Sequence, residues 1–139
     1  MSHLRSLPYV KADGIGIFGW SYGGYETLMA ASAQGATYAA AVAVAPVTSW
    51  RYYDTVYAER YMTTPRQNPD GYDRSAPIER TGSLRCPLLI MSGTADDNVH
   101  MSNTMEYVAR LQADDRWADM LLFPNMNHSI NGCNTRAVV

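Results

Sequence analysis

The chain has 139 residues, 47% hydrophobic and 17% charged, enough for one domain with a sizeable core and too apolar for disorder. A formal net charge of −2 without any basic run argues against nucleic acid or an anionic membrane as partner. No apolar run reaches the roughly 18 residues of a membrane span, and Met1 to Val10 lacks the pattern of a signal peptide.

Taken in order, residues 1–13 read as the end of a helix bearing Leu4 and Leu7, then Pro8 and a turn at Ala12-Asp13-Gly14. A short apolar strand over 14–19 runs directly into a helix predicted from about 23 to 34, with Gly35 as its C-cap. The run Ala40 to Ala45 shows no polar alternation, as expected of a strand covered on both faces, and Pro46 ends it. Residues 87–91 and 120–123 are a third and a fourth strand. Between them a helix of about 13 residues is predicted, with Met101, Met105, Val108 and Leu111 along one face. Strands alternating with helices predict an α/β fold with a mostly parallel sheet and flanking helices. There is no internal repeat, linker or low-complexity stretch.

The strand-to-helix junction carries Gly-x-Ser-x-Gly at Gly19, Ser21 and Gly23. In that context the pattern is a nucleophile elbow: the chain turns so sharply at Ser21 that side chains at Gly19 and Gly23 should collide. Ser21 is then held at the tip of the turn, ahead of a helix N-terminus that favours a developing oxyanion. A serine hydroxyl attacks only when a histidine takes its proton, and that histidine needs a carboxylate to fix its tautomer. In α/β-hydrolases these residues follow in the order Ser, Asp or Glu, His, each just beyond a strand. Asp96 and Asp97 lie directly after the third strand and His128 directly after the fourth. Spacing leaves Asp96 and Asp97 both open as the carboxylate, and His100 stands as the alternative base to His128. The backbone N–H of Tyr22 supplies one oxyanion donor, and the sequence offers no second.

Residues 47–85 differ in character. Trp50, Tyr53, Tyr57 and Tyr61 recur at helical spacing just past a strand's carboxyl end, the edge at which open α/β sheets bind ligands. Such a stripe reads either as core or as a binding wall. Cys86 and Cys133 favour two separate thiols over a bridge, and His3, His100 and His128 are too scattered for a metal set.

These segments together resemble the dipeptidyl-peptidase IV branch of the prolyl oligopeptidase family of serine peptidases. Gly19-Trp20-Ser21-Tyr22-Gly23-Gly24-Tyr25 is similar to its nucleophile motif, and Gly93-Thr94-Ala95-Asp96-Asp97-Asn98-Val99-His100 to its acid loop. Val44-Ala45-Pro46-Val47 with Trp50 to Tyr57, then Glu59-Arg60-Tyr61-Met62, is similar to its aromatic pocket segment. The resemblance implies Ser21, Asp96 and His128 as the catalytic triad, thereby choosing Asp96 over Asp97. It implies that Val47, Trp50, Tyr53, Tyr57 and Val99 line a small apolar pocket for proline or alanine, and that Asn98 hydrogen-bonds a substrate carbonyl. A rigid aromatic box suits a flat pyrrolidine ring and excludes larger side chains. The implied reaction removes an N-terminal dipeptide after Pro or Ala through an acyl-enzyme, without metal or cofactor. The rivals are another serine hydrolase of the clan (acylaminoacyl-peptidase, oligopeptidase or carboxylesterase) and a catalytically inactive fragment.

Two positions depart from the family pattern: Ser92 stands where a histidine is common, and Gly14 where arginine is frequent. The resemblance further implies that residues 1–139 are the C-terminal portion of an α/β-hydrolase catalytic domain, with Met1 an internal methionine. An upstream β-propeller, a glutamate pair gripping the substrate's free N-terminus, a tyrosine oxyanion donor and the first half of the sheet would lie outside the chain. Relatives often dimerise and are periplasmic or extracellular. On this reading the strand at 14–19 becomes an exposed apolar edge and the isolated chain dissolves poorly. Without the second donor it loses on the order of 10² to 10³ in rate.

Overall fold

The computed structural model describes residues 2–132. After a short N-terminal helix α1 (Ser2–Arg5), strands β1 (Ile17–Trp20), β2 (Ala41–Val44), β3 (Leu88–Gly93) and β4 (Asp119–Phe123) form the sheet. They pair in parallel in the order β1-β2-β3-β4. Parallel neighbours need crossovers, and helices α2 (Tyr22–Ala31) and α5 (Ser102–Ala113) supply the first and the last. The long middle crossover holds α3 (Thr55–Met62), α4 (Pro69–Arg74) and two 3₁₀ segments, Trp50–Tyr52 and Pro77–Ser83. The architecture is a parallel α/β sheet with flanking helices, as the alternation of elements predicts.

Alternate residues along each strand face opposite sides, so the register defines two cores. On one face Ala41, Ala43, Leu88 and Ile90 pack under Leu28 and Ala31 of α2 and Tyr107 and Leu111 of α5. Each fully buried aliphatic side chain there is worth roughly 1.5–3 kcal/mol. On the other face Val44, Met91 and Phe123 are buried beneath Ile130, with Trp20, Val42, Leu89 and Leu121 half-buried around them. Among the described residues, none from a helix joins this second cluster. Phe18, in register with Val42 on that face, is 62% exposed on the edge strand. A parallel sheet is stable only with both faces covered. The 139-residue chain alone is therefore expected to self-associate through β1 and this face, and a monodisperse monomer by light scattering at micromolar concentration would contradict that.

Three local expectations need correction. Helix α2 ends at Ala31, where the Ser32 N–H reaches the carbonyls of Leu28 and Ala30, and Gly35, at φ 75°, only turns the chain further on. The buried side of α5 is Asn103, Thr104, Tyr107 and Leu111, while Met105 is exposed. Two of the inward residues are polar and satisfied within the core: Asn103 binds Thr48, and Thr104 binds Ser92 at 2.7 Å. An apolar period cannot register such a face. The aromatic stripe is not one helix either, because Asp54 interrupts it and caps α3 by accepting from Tyr57 N–H at 2.8 Å.

Candidate active site

The site is built at the carboxyl ends of β1, β3 and β4, with the chain after β2 forming its wall. Ser21 follows β1 with φ 59° and ψ −118°, a backbone conformation that side-chain-bearing residues rarely hold. Its strain is borne by two hydrogen bonds: Ser21 N–H donates to the Val44 carbonyl at 2.8 Å, and Tyr25 N–H donates to the Ser21 carbonyl at 3.0 Å. The sterics differ from the symmetrical expectation. A methyl on Gly19 would overlap the Gly23 carbonyl, whereas one on Gly23 meets nothing within 4 Å. The second close approach is at Gly24, where a Cβ would lie 2.8 Å from the Val44 carbonyl oxygen. Glycine is needed at Gly19 for the turn and at Gly24 for the packing of α2 on β2.

The acid loop and the histidine loop are clasped together beyond β3 and β4. Thr94 N–H bonds the Phe123 carbonyl at 3.0 Å, Ala95 N–H the Met126 carbonyl at 3.0 Å, and Asn125 N–H the Thr94 hydroxyl at 2.8 Å. Gly93 allows this approach, since a Cβ there would overlap the Met126 carbonyl. The Trp20 indole N–H donates to the His128 carbonyl at 3.1 Å, tying the histidine loop to the strand that carries Ser21. Buried Ser92 fastens β3 to α5 through Thr104, a structural use of the position where relatives often have histidine.

Within this frame Ser21 Oγ lies 2.8 Å from His128 Nε2, and His128 Nδ1 lies 2.8 Å from Asp96 Oδ2. The Asp96 side chain is fully buried, and its other oxygen accepts the N–H groups of Asn98 and Val99, each at 2.9 Å. With Nδ1–H directed at the carboxylate, Nε2 presents its lone pair to the serine hydroxyl. Asp97 and His100 are exposed and line, with Asn98, Arg51, Tyr52 and Asp54, a neighbouring cleft that meets the aromatic pocket at Tyr53. The geometry thus assembles Ser21, His128 and Asp96 and leaves Asp97 and His100 outside. Tyr22 opens α2, where helix geometry leaves its N–H without an intrahelical acceptor.

Beside Ser21 is a pocket of ≈ 160 Å³ lined by Tyr22, Val47, Trp50, Tyr53 and Tyr57. Its walls are rings in mutual contact. Trp50 stacks on Tyr57 at 5.7 Å between centroids, and Tyr53 stands edge-on to both, at 5.8 Å from Trp50 and 5.5 Å from Tyr57. Such pairs add roughly 0.5–1.5 kcal/mol each beyond burial and hold the box rigid. Tyr25 and Val99 pack behind this wall with Val47, Trp50, Ala58 and Tyr72. Asn98 reaches the pocket through Tyr53, whose hydroxyl donates to its side-chain oxygen at 2.7 Å. Two contributors escaped the sequence reading: the Tyr22 ring as a pocket wall, and Tyr25, which packs between Tyr22 and Trp50 at 5.3 and 5.0 Å. Their spacing of three on the first turn of α2 was the available signal. Cys86 is half-buried, and burial raises its thiol pKa; Cys133 lies outside the described residues.

A parallel sheet ending in a serine elbow, with a histidine and a buried carboxylate in hydrogen-bonded series, defines an α/β-hydrolase-type domain of the serine-hydrolase class. A model of the prolyl oligopeptidase family matches residues 1–138. The probable dipeptidyl-aminopeptidase B of Ajellomyces capsulatus (strain H88) is 48% identical over 136 residues, which are 95% of this chain and 15% of that protein. That of Paracoccidioides brasiliensis (strain Pb18) is 45% identical over the same shares. The crystal structure of Porphyromonas gingivalis dipeptidyl peptidase 4 superposes with a TM-score of 0.94 at 48% identity, covering 99% of this chain and 20% of that one. A putative dipeptidyl aminopeptidase IV from Bacteroides ovatus gives 0.87 at 33% identity, covering 91% and 18%. The chain belongs to the prolyl oligopeptidase family of serine peptidases, and its similarity is to that family's dipeptidyl-peptidase IV branch. It spans about 15% of the length of these curated relatives.

Proposed function

We propose that these residues are the nucleophile-bearing part of a serine peptidase that releases N-terminal dipeptides with proline or alanine in second position. The observation that carries this reading is the contiguity of Ser21, hydrogen-bonded to His128, with the rigid aromatic pocket of Val47, Trp50, Tyr53 and Tyr57. In the proposed reaction Ser21 Oγ attacks the carbonyl carbon of the second residue while His128 Nε2 takes its proton. Asp96 stabilises the imidazolium through Nδ1–H, and the Tyr22 N–H donates to the oxyanion. Collapse of the intermediate breaks the peptide bond, and His128 returns the proton to the leaving amine. Water then attacks the acyl-enzyme by the same route, and the dipeptide departs.

The pocket supports the proline preference on physical grounds. Its walls are flat rings locked by one another, which suits a flat, rigid pyrrolidine better than a branched, freely rotating leucine side chain. Val99 backs the pocket, and the family resemblance assigns Asn98, which accepts from the Tyr53 hydroxyl, to a substrate carbonyl. We further propose that the chain is part of a longer catalytic domain whose other segments cover the Phe18 face and supply the second oxyanion donor. A domain preceding it, a β-propeller in the family, would hold the groups for the free N-terminus. The exposed edge of β1 and the small share of each relative that is matched support this.

The test is the rate of the full-length protein on Gly-Pro and Gly-Leu anilides. A kcat/KM ratio of about 10 to 200 in favour of proline is expected, since one misfit aliphatic group is worth roughly 1–3 kcal/mol. Equal rates would remove the pocket assignment. Fluorophosphonate labelling mapped to Ser21, and lost in His128→Ala, is expected in the same preparation; label on another serine would remove the nucleophile assignment.

A further inference from the structure

Two cavities meet at the aromatic wall. Beside the pocket of ≈ 160 Å³ next to Ser21 lies a larger one of ≈ 350 Å³, and Tyr22, Trp50 and Tyr57 line both. Tyr25, Ala58, Tyr61, Met62 and Ser75 complete the larger cavity, which Ser21 does not reach. The Ser75 hydroxyl is turned to the Gly71 carbonyl at 2.7 Å, so the lining suits an aromatic or aliphatic group.

The three shared rings are not equally fixed. Trp50 is 7% exposed and packs against Tyr25, Tyr53 and Tyr57 at 5.0, 5.8 and 5.7 Å between centroids. Tyr57 is held by Trp50, Tyr53 and Tyr61. Tyr22 is 50% exposed, and its ring neighbours among the described residues are Tyr25 and Trp50, at 5.3 and 5.8 Å. Its side chain is therefore the part of the wall that yields most readily. Its backbone N–H, at the start of α2, is available whatever the side chain does.

We infer that the Tyr22 ring is the specificity-determining partition between the two cavities, closing the larger one to long apolar side chains of the substrate's second residue. The inference rests on the dipeptidyl-peptidase reading and deepens it. A side chain entering beside Ser21 ends against Tyr22, Trp50 and Tyr57. A proline ring closes back on its own nitrogen and projects only a short distance. A phenylalanine side chain projects further and must push Tyr22 off Tyr25 and Trp50. With the ring removed the two spaces join, and the longer side chain gains apolar contact with Tyr61 and Met62.

Tyr22→Ala and, as an independent truncation, Tyr22→Ser in the full-length protein test this on Gly-Pro and Gly-Phe anilides. Rates are taken per site labelled at Ser21 by fluorophosphonate, so that only folded enzyme is compared. In both truncations kcat/KM on Gly-Phe anilide is expected to rise about 10-fold while that on Gly-Pro anilide falls. Tyr22→Phe keeps the ring and is expected to hold the wild-type ratio of the two rates within about 2-fold. The larger cavity is then refilled by Ser75→Leu or Ala58→Leu, at positions that line it and not the pocket beside Ser21. Either substitution is expected to cancel the Gly-Phe gain of a truncated variant. No Gly-Phe gain in either truncation, a gain that survives both refilling substitutions, or a ratio lost in Tyr22→Phe overturns the inference and leaves the proposed function standing. Wild-type protein that labels at Ser21 yet cleaves Gly-Pro no faster than Gly-Phe anilide overturns the functional reading and the inference with it.

Discussion

Asp96→Asn in the full-length protein is expected to lower kcat on Gly-Pro anilide about 10⁴-fold with little loss of folded protein. The carboxylate has two separate duties, one oxygen facing His128 Nδ1 and the other accepting the N–H groups of Asn98 and Val99. An asparagine can do only one of them. If its oxygen stays with the N–H groups of Asn98 and Val99, its own N–H₂ faces His128 and turns Nδ1 into an acceptor. The proton then resides on Nε2 and points at Ser21, which leaves the serine without a base. The opposite orientation keeps the tautomer but sets N–H₂ against two backbone donors, leaving them unsatisfied at roughly 1–3 kcal/mol each. The first arrangement is therefore the stable one, and it is the inactive one. Steady-state kinetics beside a thermal melt separates the two duties. A loss below 10-fold in a folded variant would show that another group orients His128.

Gly19→Ala should have the second largest effect, and it should act on the fold before the chemistry. The added methyl would overlap the Gly23 carbonyl and approach Thr27 Oγ1 at 2.7 Å. Neither neighbour can yield freely. The Gly23 carbonyl belongs to the first turn of α2, and Thr27 is buried against the sheet. Relief requires α2 to lift from β1 and β2, which uncovers Leu28 and Ala31 from the first core. A cost at the upper end of the overpacking range, about 3 kcal/mol, is expected, with loss of fluorophosphonate labelling in whatever protein remains folded. An unchanged melting temperature would show that the elbow can re-form around a side chain.

Reading the residues alone goes far here because the decisive features are local. The elbow announces itself within five residues, Gly19 to Gly23, although only Gly19 is sterically required by the turn and a side chain at Gly23 would meet nothing within 4 Å. The four strands are legible as unbroken apolar runs, and their alternation with helices fixes parallel pairing. Where the reading slipped, the cause was a face whose composition disguised its burial. The inward side of α5 carries Asn103 and Thr104, which are core residues because Thr48 and Ser92 meet them. Nothing in their own neighbourhood says so. The stripe from Trp50 to Tyr61 was legible as a spacing, yet a break at Asp54 divides it into a 3₁₀ segment and a helix.

Sequence by itself thus determined the class of fold, and it singled out Ser21 as the candidate nucleophile with a short set of groups able to serve it. Spacing left Asp96 and Asp97 both open, with His100 as the alternative to His128; the family resemblance chose Asp96 and His128, and the tertiary structure gives the physical reason they stand with Ser21. Ser21 and His128 are 107 residues apart, and His128 and Asp96 are 32 apart. Strand order and the clasp between the two loops bring them within 2.8 Å of one another in sequence of contact. Neighbouring aspartates differ in sequence by one position and in space by which side of a turn they occupy: Asp96 is 6% exposed and Asp97 faces solvent. Turn geometry and burial make that choice, and both belong to the packed sheet.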